Sequence, residues 1–187
     1  MRVIAGRFRG RSLRAPRGGA TRPTSDLVRG AIFSMLGDVG GASVLDLFAG
    51  SGALGIEALS RGAARAVFVE RDRASTATLR TNIARLGLTR EEALVRGAGA
   101  AQGMRTARRR GETYDLVFID PPYAQAERWA PLLQRSLPPL LEAAARVIVE
   151  SDRRAPLVLD WPLDSERRHG ETLIMIHSQP TTTVAPR

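Results

Sequence analysis

The sequence predicts an α/β fold: a mostly parallel sheet with helices on both faces, an antiparallel closing strand, and a small basic hairpin in front. Three observations carry this. From residue 43 onward, short apolar runs alternate with longer helical patterns, the rhythm of repeated βαβ units. The first apolar run passes straight into Gly50-Ser51-Gly52-Ala53-Leu54-Gly55, a glycine turn that opens a helix. The last two runs, Leu157-Val158-Leu159 and Leu173-Ile174-Met175-Ile176, read as a closing antiparallel pair. Together these describe a doubly wound, Rossmann-like sheet, which binds ligands at the carboxyl ends of its strands.

Element by element, Val3-Ile4-Ala5 and Ser12-Leu13-Arg14 are expected as two short strands joined between Gly6 and Gly10. A linker follows at Ala15-Pro16-Arg17-Gly18-Gly19-Ala20. Thr24 is placed to cap a helix reaching Leu36, with Leu27, Ala31, Ile32, Met35 and Leu36 on one face and Gly37 ending it. Strands are expected near 43–48, 66–70, 93–96, 115–119 and 145–150, and helices near 52–61, 72–87, 99–110 and 126–142. The chain then divides into a basic arm and linker (1–23), a main domain (24–178) and a frayed tail (179–187).

At 187 residues and 43% apolar content the chain can bury the core of one domain. No apolar stretch approaches the roughly 20 residues that span a bilayer, and the N-terminus lacks the apolar segment of a signal peptide, so the cytoplasm is the expected compartment. There is no cysteine, which removes disulfides, Cys-ligated zinc and thiolate nucleophiles. Methylation at a ring carbon is excluded as well, insofar as it needs a cysteine to activate the ring. His169 and His177 fit no metal-ligand spacing, so no metal is expected.

The net charge is +9, and its distribution is lopsided. Residues 1–30 hold eight arginines against one acid, Asp26, whereas residues 31–187 hold twenty arginines against eighteen acids. A basic arm on a nearly balanced body is the pattern of a phosphate-backbone contact, with Arg2, Arg7, Arg9, Arg11, Arg14 and Arg17 as its candidate groups.

In Asp46-Leu47-Phe48-Ala49-Gly50-Ser51-Gly52, glycines let the backbone turn tightly and approach a ligand, while the following helix offers free N–H groups. Glu70, 20 residues past Gly50 at the end of the next strand, stands where an acid reaches ribose hydroxyls. Gly50-x-Gly52-x-x-Gly55 also matches the dinucleotide fingerprint, so an NAD-dependent oxidoreductase is a rival. Asp46 argues for S-adenosylmethionine instead: a carboxylate there suits the amino group of a methionine moiety, and a pyrophosphate gains nothing from it. The chain also offers no obvious acid–base set for hydride chemistry.

Asp120-Pro121-Pro122-Tyr123 follows the strand Leu116-Val117-Phe118-Ile119. Two prolines stiffen the turn and donate no N–H, leaving the Asp120 carboxylate and the Pro121 carbonyl as fixed acceptors beside the Tyr123 ring. That set suits the exocyclic –NH2 of a flat base, although a plain Pro-Pro turn has the same sequence.

These motifs resemble motifs I, II and IV of class I amino-methyltransferases. The N-terminal run is more particular: Arg2-Val3-Ile4-Ala5-Gly6, Arg9-Gly10-Arg11 with Leu13, Thr21-Arg22-Pro23-Thr24, Val28-Arg29 and Phe33 resemble the RsmD family. His169-Gly170-Glu171-Thr172 is similar to that family's tyrosine-glycine-x-threonine segment, and the likeness spans residues 2–176. The chain departs from the family at Leu27 and Gly30, where a basic residue and a glutamate are usual. It also departs at Arg96-Gly97-Ala98, which offers no acid for an adenine amino group.

The resemblance implies a class I methyltransferase fold and methyl transfer from S-adenosylmethionine to guanine N2 in 16S rRNA, with an assembled small ribosomal subunit as substrate; a monomer is expected. Cofactor contacts are then expected at Asp46, Phe48, Gly50, Ser51, Gly52, Glu70 and Arg71. Arg22 and Thr24 could meet the methionine carboxylate, although Arg22 could equally hold phosphate and Thr24 cap its helix. Asp120, Pro121, Pro122 and Tyr123 are the expected catalytic group. The residues by themselves leave adenine N6, cytosine N4 and protein glutamine open as acceptors, and also a non-catalytic RNA-binding assembly factor.

Overall fold

The structure, a computed structural model, describes residues 1–15, 25–122 and 126–180. Its elements are α1 (Asp26–Leu36), β1 (Ser43–Asp46), α2 (Ala53–Ser60), β2 (Arg65–Glu70), α3 (Arg73–Leu86), β3 (Ala93–Gly97) and α4 (Ala100–Arg109). They continue with β4 (Tyr114–Ile119), α5 (Ala126–Ser136), β5 (Leu141–Asp152), β6 (Leu163–His169) and β7 (Thr172–Ser178). The strands form one seven-stranded sheet in the order β3-β2-β1-β4-β5-β7-β6. Neighbours from β3 to β5 are parallel, and β7 lies antiparallel to both β5 and β6. The chain leaves β1 toward β2 and later returns to β4 on the other side. This reversal of strand order opens a crevice at the carboxyl ends of β1 and β4.

Helices cover both faces, so the central strands are apolar on both sides and read as continuous runs. One core cluster joins Val44, Phe68 and Phe118 to α1, α2, α3 and the arm residues Val3 and Leu13. The other joins Leu45, Val67 and Val117 to Met104 and Ala107 of α4 and Leu133 of α5. Adjacent β1 residues, Val44 and Leu45, thus serve opposite cores, as the period of two requires.

Several expectations are corrected. The two N-terminal runs do face each other antiparallel, with Val3 N–H donating to the Arg11 carbonyl and Leu13 N–H to the Met1 carbonyl, but the pairing is one bridge, Arg2 to Ser12, and not two regular strands. The N–H groups of Ile4 and Ala5 donate to the Glu57 carboxylate at 2.8 and 3.0 Å instead of to a partner strand. The strand paired with β7 is Leu163–His169, not 157–159. Leu157 and Leu159 are buried core residues outside any strand, while β6 is a charged, exposed edge whose pattern carries no apolar signal. Helix 126–142 is shorter than expected: α5 ends at Ser136, a 3₁₀ turn occupies Pro138–Leu140, and β5 starts at Leu141. Ser25, whose side chain accepts from the Val28 N–H, caps α1; Leu27 is 71% exposed, and the buried face holds Val28, Arg29 and Phe33 in addition to Ala31, Ile32 and Leu36. The linker after Ala15, the expected cap Thr24 and the tail from 181 onward lie outside the described residues.

Candidate active site

β1 ends at Asp46, and the loop beyond it stays stitched to both neighbouring strands. Leu47 N–H donates to the Phe118 carbonyl and Ala49 N–H to the Val69 carbonyl, both at 3.1 Å. The chain then turns through Gly50 (φ 53°) and Gly52 (φ 86°), and Gly52 caps α2. The two glycines serve different ends. A Cβ on Gly52 would sit 2.3 Å from Leu79 Cδ1, so that position is closed by packing. A Cβ on Gly50 would meet nothing within 4 Å, so its backbone faces open space that a ligand can enter.

Two carboxylates brace this loop. Glu70, at the end of β2, accepts from Gly50 N–H at 2.8 Å and from Asp72 N–H at 2.7 Å, which sets the loop's position relative to β2. Asp46 is 2% exposed and accepts from Gly55 N–H at 3.1 Å. Burial pushes its carboxyl up to about 7; the Gly55 hydrogen bond opposes this, and the nearby charges of Asp120 and Glu70 add to it. A site that raises a buried acid in this way attracts a cation, because an ammonium would relieve both the desolvation and the crowding of negative charge.

The third carboxylate, Asp120, follows β4, whose Phe118 pairs with Asp46 in the parallel register. Pro121 beside it is buried and Pro122 exposed, while Tyr123 lies outside the described residues. Asp46, Glu70 and Asp120 therefore stand at the carboxyl ends of three adjacent strands. Phe48 and the exposed Arg71 belong to the same edge, and Phe48 packs edge-on against Trp129 of α5, ring centroids 5.0 Å apart. Gly97 and Gly99, after β3, have no atom within 4 Å of an added Cβ, so backbone there is accessible to a flat ring.

Three residues not singled out from the sequence hold this edge together. Asn82, on the buried face of α3, donates to the Ser51 carbonyl at 3.0 Å and also bonds the main chain of Arg14. Glu57, fully buried in α2, receives Ile4, Ala5 and Arg61, with the buried Arg29 guanidinium 3.5 Å away. Trp129 is the third. A polar residue at Asn82 among Leu79, Ile83 and Leu86, and an acid inside the apolar helix of Glu57, were the available signals.

The arm lies along α1, α2 and α3. Arg7 pairs with Glu92 at 2.5 Å and stacks over the Phe8 ring, and Arg11 donates to the Arg85 carbonyl at 3.0 Å. Arg2, Arg9 and Arg14 are exposed, while Arg17 and Arg22 lie outside the described residues.

Chemically, the edge offers an open glycine loop, acids suited to a ribose and an ammonium, and a stiff acceptor turn one strand away. Over residues 1–178 the chain matches the family described as "Conserved hypothetical protein 95". It is 38% identical over 183 residues to YlbH of Bacillus subtilis (strain 168), covering 96% of this chain and 99% of that protein. It is 36% identical over 183 residues to the "Ribosomal RNA small subunit methyltransferase D" of Escherichia coli (strain K12), covering 96% and 90%. The solved structure of a hypothetical protein from Thermus thermophilus superposes with a TM-score of 0.81 at 31% identity, covering 95% and 99% of the two chains.

Proposed function

Because the chain belongs to the RsmD family, we propose that it transfers a methyl group from S-adenosylmethionine to the exocyclic N2 of a guanine in 16S rRNA. The observation that carries this reading is the register of β1 and β4. Asp46 pairs with Phe118, so the glycine loop and the Asp120-Pro121-Pro122 turn leave adjacent strands into one crevice.

The residues present fit the cofactor. Gly50, open to solvent on its Cα side, admits a nucleoside close to the backbone. Glu70 keeps lone pairs for ribose hydroxyls beyond those used by Gly50 and Asp72. Asp46 is the group for an ammonium, Phe48, Ser51, Gly52 and Arg71 frame the loop, and Arg22 and Thr24 are the proposed partners of the carboxylate. S-adenosylmethionine supplies a methyl group activated by its sulfonium charge.

The N2 lone pair of guanine is delocalised into the ring and is a poor nucleophile. The Asp120 carboxylate and the Pro121 carbonyl accept its two N–H groups, favour a pyramidal nitrogen and hold it in place. Positioning supplies much of the acceleration, and the fixed acceptors stabilise the positive charge that grows on nitrogen. Pro122 stiffens the turn, and Tyr123 walls in the base, which must leave its stack to reach the crevice. Afterwards the surplus proton goes to Asp120 or to water.

The arm, residues 1–23, is the proposed RNA contact through Arg2, Arg7, Arg9, Arg11, Arg14 and Arg17. The substrate is the assembled small subunit, the enzyme a monomer of the cytoplasm. No described helix is long and apolar enough to cross a membrane. The test is Asp120→Ala. Retained affinity for S-adenosylhomocysteine with turnover lowered by about 10³-fold or more supports the assignment. Equal loss of both makes Asp120 a structural residue.

A further inference from the structure

We propose that the solvent face of α3 is a second RNA-binding surface, continuous with the arm, across which the phosphate backbone of the substrate lies. The inference rests on the RNA reading above and names a surface which that reading leaves out. From Arg73 to Arg90 the chain carries Arg73, Arg80, Arg85 and Arg90 and no acid, and all four are exposed. None of them is in an ion pair among the described residues, whereas Arg7, Arg61, Arg96, Arg154 and Arg168 each hold a carboxylate.

The arm adds Arg2, Arg7, Arg9, Arg11 and Arg14, again with no acid, and it touches α3 directly. Arg11 donates to the Arg85 carbonyl, and the Arg14 main chain bonds Asn82. The acids bordering this surface are Asp72, which caps α3, and Glu91 and Glu92 beyond it; Glu92 is occupied by Arg7.

Local shape agrees with the charge. Between the stripe of Arg73 and Arg80, seven residues apart on one side of the helix, and Arg85 toward the arm, the outer positions are small: Ala77, Thr81 and Ala84. On the far flank a hollow of about 410 Å³ opens between Arg80 and Arg90 over Leu88 and Leu94. A sugar–phosphate chain can therefore approach the helix closely, with guanidinium groups on either side.

α4 provides the contrast. Arg105, Arg108 and Arg109 are also exposed, with no acid inside the helix, but α4 packs on the opposite face of the sheet, away from the arm. The experiment compares the triple variant Arg80→Gln/Arg85→Gln/Arg90→Gln with Arg105→Gln/Arg108→Gln/Arg109→Gln, which makes the same charge change on the other face. Affinity for under-methylated small subunits is measured between about 50 and 250 mM salt, alongside affinity for S-adenosylhomocysteine, which reports an intact fold. For the α3 variant the expected result is roughly tenfold weaker subunit binding, with a salt slope smaller by about 2, at 0.7–0.9 per lost phosphate contact. The α4 variant keeps the native slope. Should the triple variant fold poorly, Arg80→Gln and Arg90→Gln singly are each expected to lower the slope by about 0.7–0.9. Equal effects of the two triples, or a native slope in the α3 variants, overturn the proposal. A native protein that neither binds nor methylates the subunits overturns the functional reading itself, a separate result.

Discussion

Asn82 and Ser51, 31 residues apart, are joined by a hydrogen bond from the Asn82 amide to the Ser51 carbonyl at 3.0 Å. The same side chain exchanges two hydrogen bonds with the main chain of Arg14, at 2.9 and 3.1 Å. One buried amide therefore fixes the position of the glycine loop relative to the arm. Asn82→Ala is expected to cost about 2–3 kcal/mol, roughly 1 kcal/mol for each lost hydrogen bond. It should also weaken S-adenosylhomocysteine binding several-fold and speed tryptic cleavage after Arg14. The same destabilisation with native cofactor affinity would leave Asn82 a core residue alone.

Gly50 and Gly52 are expected to fail in different ways. Gly52→Ala places a methyl against Leu79 at φ 86° and should lower stability by about 2–4 kcal/mol, combining backbone strain with overpacking. Gly50→Ala has room for its methyl and should cost only about 1–2 kcal/mol from its φ of 53°, yet it obstructs the ligand side of the loop. Urea melts and calorimetric titration with S-adenosylhomocysteine separate the two. Loss of affinity in Gly52→Ala but not in Gly50→Ala would reverse the assignment.

Asp46 gives the unliganded protein a pH dependence. Its carboxyl is raised from 3.8 to about 7 in the folded chain. Below about pH 4 it is protonated in both states. Between about pH 4 and 7 the unfolded chain ionises it while the folded chain still holds the proton, so stability falls as pH rises through that window and levels above it. Asp46→Asn should flatten this part of the curve of urea midpoint against pH. A ligand ammonium favours the ionised form, so native S-adenosylhomocysteine affinity should rise toward pH 7 with release of a proton, and the Asn variant should show neither. An identical pH profile in the variant would remove Asp46 from the cofactor site.

Glu57→Ala strands the fully buried Arg29, whose remaining partners are Asp26 at 3.0 Å and the Arg2 carbonyl. The expected loss is about 3–5 kcal/mol, the range for breaking a buried pair from one side. Glu57→Gln, which keeps an acceptor for Ile4 or Ala5, should cost less. A loss below about 1 kcal/mol for the alanine variant would mean that the arm docks by its apolar contacts, Val3 and Leu13.

Much of this site was legible because the chemistry sits in consecutive residues at strand ends. Asp46 through Gly52, Glu70 and Asp120-Pro121-Pro122 each follow a clear apolar run, and a parallel sheet gathers such ends on one edge. Asn82 and Glu57 showed only as polar residues set among apolar ones, and Trp129 not at all, since the Ser51, Arg14, Ile4, Ala5 and Phe48 groups they meet lie far away in sequence. β6 escaped for another reason: an exposed edge strand of charged residues lacks the apolar signal by which strands are read. The docking of the arm left no trace either, because its glycines and arginines give no hint that Ile4 and Ala5 bond an acid in α2.

The central claim is tested most directly by the identity of the methylated nucleoside. The protein is incubated with under-methylated small ribosomal subunits and S-adenosylmethionine carrying a labelled methyl group, the 16S rRNA is digested, and the product is identified by mass spectrometry. The account predicts label in N2-methylguanosine, lost with Asp120→Ala. Label in N6-methyladenosine or N4-methylcytidine, label in protein, or tight RNA binding with no transfer at all would contradict it.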